Sequence, residues 1–122
     1  MMNKPIVTQD NTWLFPCAIW RDESGSVPAE RHGLENEQFS NVYASTDEGK
    51  TIVLRGHADV PMRSFDEHMI VQKKDGTLWM LVRTFDGLGE SFSSDGGFTW
   101  TPGHKSHIDN PCSRFFIRRL KS

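Results

Sequence analysis

The chain has only two cysteines and a single tyrosine, and no stretch of it approaches the roughly 18 apolar residues that a membrane-spanning helix requires. Cys17 and Cys112 stand far apart with no C-x-x-C spacing. That excludes a cysteine zinc centre and a disulfide framework, and leaves two free thiols expected in buried positions. A strong charge balance is missing as well: 14 Lys and Arg against 16 Asp and Glu give a formal charge of −2 with the signs mixed along the chain. Neither nucleic acid nor an anionic membrane surface is therefore expected as a partner. Helical periodicity is absent, and no signal-peptide pattern precedes the first apolar run. His104 and His107 invite a metal reading, but a strand-to-loop segment would not hold both rings on one face, so neither metal nor cofactor is expected.

What remains is a succession of short apolar segments punctuated by Gly and Asp turns, the pattern of an all-β chain. Residues 12–20 form an aromatic-rich apolar run short enough for a strand covered on both faces. Residues 21–38 are polar, contain Gly25, Pro28 and Gly33, and read as a long hairpin insertion. Segments 41–45 and 51–55 are the next strands, and the first strand of this unit shrinks to the residues around Ile6 and Val7. A second unit repeats the plan: a strand over 68–72, a turn at Lys74-Asp75-Gly76, strands over 78–83 and 89–93, and a fourth strand starting at Trp100. Connections this short make the sheets antiparallel. Residues 113–122 align with 66–75 at an offset of 47, which adds one further first strand.

One turn pattern occurs twice, starting at Ser45 and at Ser93, 48 positions apart. It reads S-x-D-x-G-x-T-W: Ser45, Asp47, Gly49 and Thr51 in the first copy, and Ser93, Asp95, Gly97, Thr99 and Trp100 in the second. The Asp carboxylate can accept backbone N–H groups, Gly supplies a positive φ, and Trp anchors the next strand. In the first copy Ile52 stands at the Trp position, keeping an apolar anchor. The pattern resembles the Asp-box of the sialidase (bacterial neuraminidase repeat) superfamily, where it joins the third and fourth strands of a propeller blade at the outer rim. The segment from Glu67 to Arg83 is similar to the sialidase segment in which a Glu on a first strand and an Arg on the following strand reach the active centre.

The resemblance implies about two four-stranded antiparallel blades plus one further strand of a sialidase-like β-propeller of about six blades. The blades are expected over residues 1–60 and 61–110, with the next starting at 111–122. Blades of about 40 to 50 residues make 122 residues too short for a closed ring, so the chain is expected to be a segment of a larger protein or a subunit that completes the ring with copies of itself. The implied activity is retaining exo-α-sialidase-type hydrolysis of terminal acidic sugars, with Glu67 as the catalytic base assisting a Tyr nucleophile and Arg83 gripping the sugar carboxylate. Arg114, His68 and Asp66, near the starts of first strands, join Arg83 as expected ligand contacts. Asp59, in the loop between the units, is more simply a turn residue than a catalytic acid.

Tyr43 precedes the Glu and lies toward the outer half of a blade, so it is rejected as the nucleophile. With no other Tyr present, the chain by itself is expected to be inactive. Carbohydrate is the expected partner, along with the remaining blades or further copies. A secreted or periplasmic location follows only if the full-length protein follows the family. Two alternatives stay open: a carbohydrate-binding propeller without hydrolysis, and a glycosidase or lyase of the same fold with another sugar specificity.

Overall fold

A computed structural model describes residues 3–18 and 37–120, with only the backbone described for Phe65 and Asp66. The end of the first apolar run and most of the expected insertion, residues 19–36, lie outside the described residues. No α-helix occurs among the described residues, and the protein is all-β. Strands β1 (Ile6–Val7), β2 (Trp13–Cys17), β3 (Ser40–Ser45) and β4 (Val53–Ala58) form one sheet in that order. Strands β5 (Arg63–Gln72), β6 (Leu78–Thr84), β7 (Leu88–Ser93) and β8 (His104–Lys105) form the second. Every pairing is antiparallel and joins chain neighbours.

Two expected strands come out differently. The fourth strand of the second sheet does not start at Trp100. Thr101 N–H does reach the Phe92 carbonyl at 2.8 Å, but Pro102 has no N–H and Gly103 gives its N–H to the Asp59 carbonyl at 3.2 Å. The regular ladder with β7 is therefore confined to His104–Lys105, while the Trp100 indole folds back with Nε1 donating to the Gly97 carbonyl at 3.0 Å. Residues 113–120 belong to no ladder, because no second strand offers them a hydrogen-bonding edge among the described residues.

The sheets pack face to face through strict alternation. Along β6, Leu78, Met80 and Val82 are fully buried on one face, while Trp79, Leu81 and Arg83 point to the other. The first set joins Ile70 of β5 against Leu14, Val42 and Ala44 of the first sheet, with Ala58 and Val60 closing the seam. His68 lies on this inner face, its ring buried and Nε2 at 2.8 Å from the Asn41 carbonyl of β3.

The repeated turns occupy equivalent corners, between β3 and β4 and between β7 and β8. Asp47 accepts Thr51 N–H at 2.8 Å, Thr51 Oγ1–H at 2.7 Å and Ser45 Oγ–H at 2.8 Å. Asp95 accepts the N–H groups of Phe98 and Thr99 at 3.0 Å and Thr99 Oγ1–H at 2.6 Å. Gly49 and Gly97 take φ of 85° and 97°, which a β-carbon would strain. The apolar anchor of the first turn is not Ile52, which is 53 % exposed; the ring over the turn comes from Trp13, whose Cζ3 would stand 3.2 Å from a β-carbon on Gly49. The second turn also clasps the first sheet. Arg55 Nη1 of β4 donates to the Gly96 carbonyl at 3.2 Å, its guanidinium lies 4.6 Å from the Phe98 ring centroid, and Gly56 beneath it admits the turn backbone.

A β-carbon at Gly56 would stand 2.4 Å from the Gly97 carbonyl oxygen. Gly56→Ala should therefore destabilise the protein by about 2 kcal/mol or more through forced separation of turn and strand, measured by urea unfolding. The turn carboxylates supply a second expectation. Hydrogen bonds from Thr51 hold the Asp47 carboxyl down at about 2, and those from Thr99 hold Asp95 well below the usual carboxylate range. Because the folded-state pKa values are depressed, their stabilisation is complete above the unfolded value near about 4 and is lost as pH falls through about 2. The urea midpoint should drop over that window and drop less steeply in an Asp47→Asn, Asp95→Asn double variant; parallel pH profiles would remove the turns as the source.

Candidate functional site

Strands β5 and β6 are joined by a three-residue loop, Lys74-Asp75-Gly76, closed by Lys73 N–H to the Thr77 carbonyl at 2.8 Å and Gly76 N–H to the Lys73 carbonyl at 3.1 Å. Gly76 at φ 90° supplies the left-handed residue that this hairpin class needs, and Asp75 caps Thr77 N–H at 3.0 Å. The resulting register pairs His68 with Val82, so Glu67 and Arg83 face each other one step further on, on the outer face. Beyond them the ladder slips before Arg63 meets Thr84, and this irregularity marks the end of the regular hairpin.

Arg83 Nη1 donates to Glu67 Oε2 at 2.9 Å. The other two nitrogens of the guanidinium, Nε at 3.0 Å and Nη2, both donate to the carbonyl of Cys112, a residue held at φ 53°. Glu67 is 7 % exposed. A nearly buried carboxylate survives only when paired, and Arg83 is the principal partner. Burial works against the Arg83 charge, and the hydrogen bonds from Glu67 and Cys112 outweigh it, leaving its pKa raised. A second guanidinium, Arg114, places Nε 3.6 Å from Glu67 Oε1 with its side chain 74 % exposed. Among the described side chains, two cations surround one carboxylate and leave the site net positive. It opens into a cavity of about 210 Å3 lined by Asn3, Glu67, His68, Met69, Arg114 and Phe115.

The expected site residues therefore separate. Glu67, Arg83 and Arg114 come together. Arg83 has all three nitrogens engaged, so it acts as a positioning residue for Glu67, and Arg114 is the guanidinium turned to solvent. His68 lines the cavity, but its ring is buried, with Nε2 at 2.8 Å from the Asn41 carbonyl, a contact that fastens β5 to β3. Asp66 lies in β5, and its side chain is outside the described residues.

Neighbouring charged groups that could pair with Glu67 or Arg83 have partners of their own. Arg63 bonds Asp59 at 3.2 Å and the Gln38 carbonyl at 2.7 Å, Lys105 bonds Asp86 at 2.7 Å, and Glu90 accepts from the Trp79 indole at 2.8 Å. Tyr43 donates its hydroxyl to Glu37, and burial together with that carboxylate pushes its pKa up to about 12, the wrong direction for a nucleophile. The thiols are half-buried rather than buried; burial raises that of Cys17, while Cys112 Sγ–H reaches Ser64 Oγ at 3.1 Å. Sequence reasoning missed the Cys112 carbonyl, since any residue can offer a carbonyl and a left-handed Cys has no sequence signal.

No protein-family model matches the chain, and no curated protein does. Among solved structures it is similar to a crystal structure of a protein of unknown function from Dyadobacter fermentans DSM 18053, with a TM-score of 0.66 and 20% identity over 86% of this chain. The chain spans 27% of that protein's length.

Removing Arg83 strands a buried carboxylate, whereas removing Arg114 deletes an exposed partner. Arg83→Ala should cost about 3 kcal/mol of unfolding free energy and Arg114→Ala under about 1 kcal/mol. Replacing Arg83 and Glu67 together by Met and Leu should recover most of the Arg83 loss. Equal losses for the two single Arg variants in urea melts would contradict this assignment.

Proposed function

We propose that the chain is a two-blade segment of a sialidase-like β-propeller that recognises a terminal acidic sugar at the Glu67 end of β5. The observation that carries this reading is the pairing of Glu67 with Arg83 at 2.9 Å beside the solvent-facing Arg114, at the mouth of a cavity lined by β5 and by the segments leading into β1 and following residue 112. In a radial array those three segments are the successive first strands, and the cavity between them is the wall of the central channel. The two four-stranded sheets, each with an S-x-D-x-G-x-T turn between its third and fourth strands, support the same arrangement. The likeness to a longer protein, of which the chain spans 27%, supports the reading of the chain as a segment.

In this reading the net positive mouth attracts a carboxylated sugar, and Arg114 moves from Glu67 onto the sugar carboxylate. That exchange leaves Glu67 held by Arg83, oriented by a fork itself fixed on the Cys112 carbonyl. A carboxylate so placed can take a proton from a nucleophile or a water, the role assigned to it in retaining hydrolysis by exo-α-sialidases.

A second reading, a carbohydrate-binding propeller without hydrolysis, is favoured by Tyr43, whose phenol is locked on Glu37 with its pKa pushed up to about 12. The test is hydrolysis of a fluorogenic α-sialoside, and binding of the free acidic sugar, by the 122-residue chain and by any longer polypeptide that contains it. Hydrolysis is expected from the longer form alone, falling about a hundredfold in Glu67→Gln. Arg114→Ala should raise KM more than it lowers kcat, and a neutral sugar should be refused. Saturable binding without hydrolysis would select the second reading, and failure of both would remove each of them.

A further inference from the structure

Beside β5, and adjoining the Glu67 cavity at Met69, runs a second groove of about 350 Å3, within the size range of small-ligand sites. Its walls are β1 and the chain just before and after it, the second half of β5, and residues 117–119. The three walls line up end to end: Asn3, Glu67 and Arg114 share the first cavity, while Gln9, Gln72 and Arg119 share the second. Gln72 closes one end, its Oε1 accepting Gln9 N–H at 2.8 Å and its Nε2 donating to the Gly76 carbonyl at 3.2 Å.

The lining has two characters. Ile6, Val7, Met69, Val71 and Ile117 make it aliphatic, and Val7 is 60 % exposed, so covering it removes apolar surface from water. Lys4, Arg118 and Arg119 make it basic, and no carboxylate lines it. None of the three forms an ion pair among the described residues; the ammonium of Lys4 rests 5.5 Å from the Phe116 ring centroid. The lining also contains no Trp, Tyr or Phe, the flat faces on which a sugar ring would stack, so this groove is chemically unlike a carbohydrate subsite.

We infer that this groove binds a single-chain amphiphile with an anionic head, a fatty carboxylate, with the alkyl chain against the aliphatic wall and the head among Lys4, Arg118 and Arg119. Charge complementarity selects the head, since three cations with no ion pair among the described residues favour an anion entering a half-apolar groove. The aliphatic wall selects the tail. The site is independent of whether the Glu67 end handles a sugar.

Isothermal titration of the 122-residue chain with decanoate, kept below its micellar concentration, tests the inference. One saturable site per chain is expected, weakening about tenfold in an Arg118→Glu, Arg119→Glu double variant and weakening with added salt. Both arginines are exposed, so the circular dichroism spectrum should stay unchanged in that variant. Val7→Asp, also at an exposed position, should abolish the site by setting a like charge against the tail and head. Butyrate should give no saturable heat, and neutral decyl maltoside should bind at least about tenfold more weakly than decanoate. Undiminished decanoate binding in both variants, equal affinity for the neutral amphiphile, or tighter binding of an acidic extended peptide than of decanoate would overturn it.

Discussion

The register of the β5–β6 hairpin is the constraint on which both the core and the candidate site depend. With the Lys74-Asp75-Gly76 loop in place, Ile70 and Met80 fall on the inner face and Glu67 and Arg83 on the outer one. A slip of one residue in either strand would exchange that strand's two faces, driving its charged residue into the apolar seam and its core residues out of it. The loop resists the slip because only a residue tolerant of positive φ closes it, and Gly76 stands where that conformation falls. The apolar alternation of the two strands and the turn chemistry thus enforce the same pairing, and the charged end of the hairpin follows from it.

The second constraint is closeness. Gly56 admits the Gly97–Phe98 turn, and Gly103 lies against Asp59 and Val60, where a β-carbon would fall within 3 Å of backbone atoms. These contacts turn the second S-x-D-x-G-x-T-W turn from a local corner into a clasp between the sheets, reinforced by Arg55. The first turn has no such partner in the described chain, and its glycine is covered by Trp13 from its own sheet. One local motif therefore carries two tertiary roles, decided by what lies across from it.

Around Glu67 the energetics are those of a buried charge. The carboxylate is desolvated by the end of the hairpin, and its compensation is assembled from far along the chain: Arg83 from the next strand, the Cys112 carbonyl that fixes Arg83, and Arg114 two residues later. Local strain at Cys112, a non-glycine residue at φ 53°, is tolerated because its carbonyl receives two guanidinium nitrogens and its thiol meets Ser64. The division of labour between the two arginines follows from this. One is consumed by holding, and the other is left facing solvent with its charge only loosely spent.

The sequence alone determined the all-β class, the antiparallel hairpins, the two acidic turns and the nearness of Glu67 to Arg83, because each is written within a few residues of itself: alternation of period two, Gly and Asp at turns, and two positions on opposite arms of one hairpin. It misplaced Ile52, the fourth strand of the second sheet and the further strand expected from residue 113. An apolar residue after a turn can be displaced by a larger ring from elsewhere, a proline and a Gly103 N–H given across to Asp59 delay the ladder, and a first strand forms only beside a partner to pair with. Tertiary structure decided the rest. The occupation of Arg83 by a main-chain carbonyl, the locking of His68 on Asn41, the seating of a turn on Gly56 and the groove between β1, β5 and residues 117–119 all join segments tens of residues apart, and their contacts depend on distances that local residue pattern does not encode.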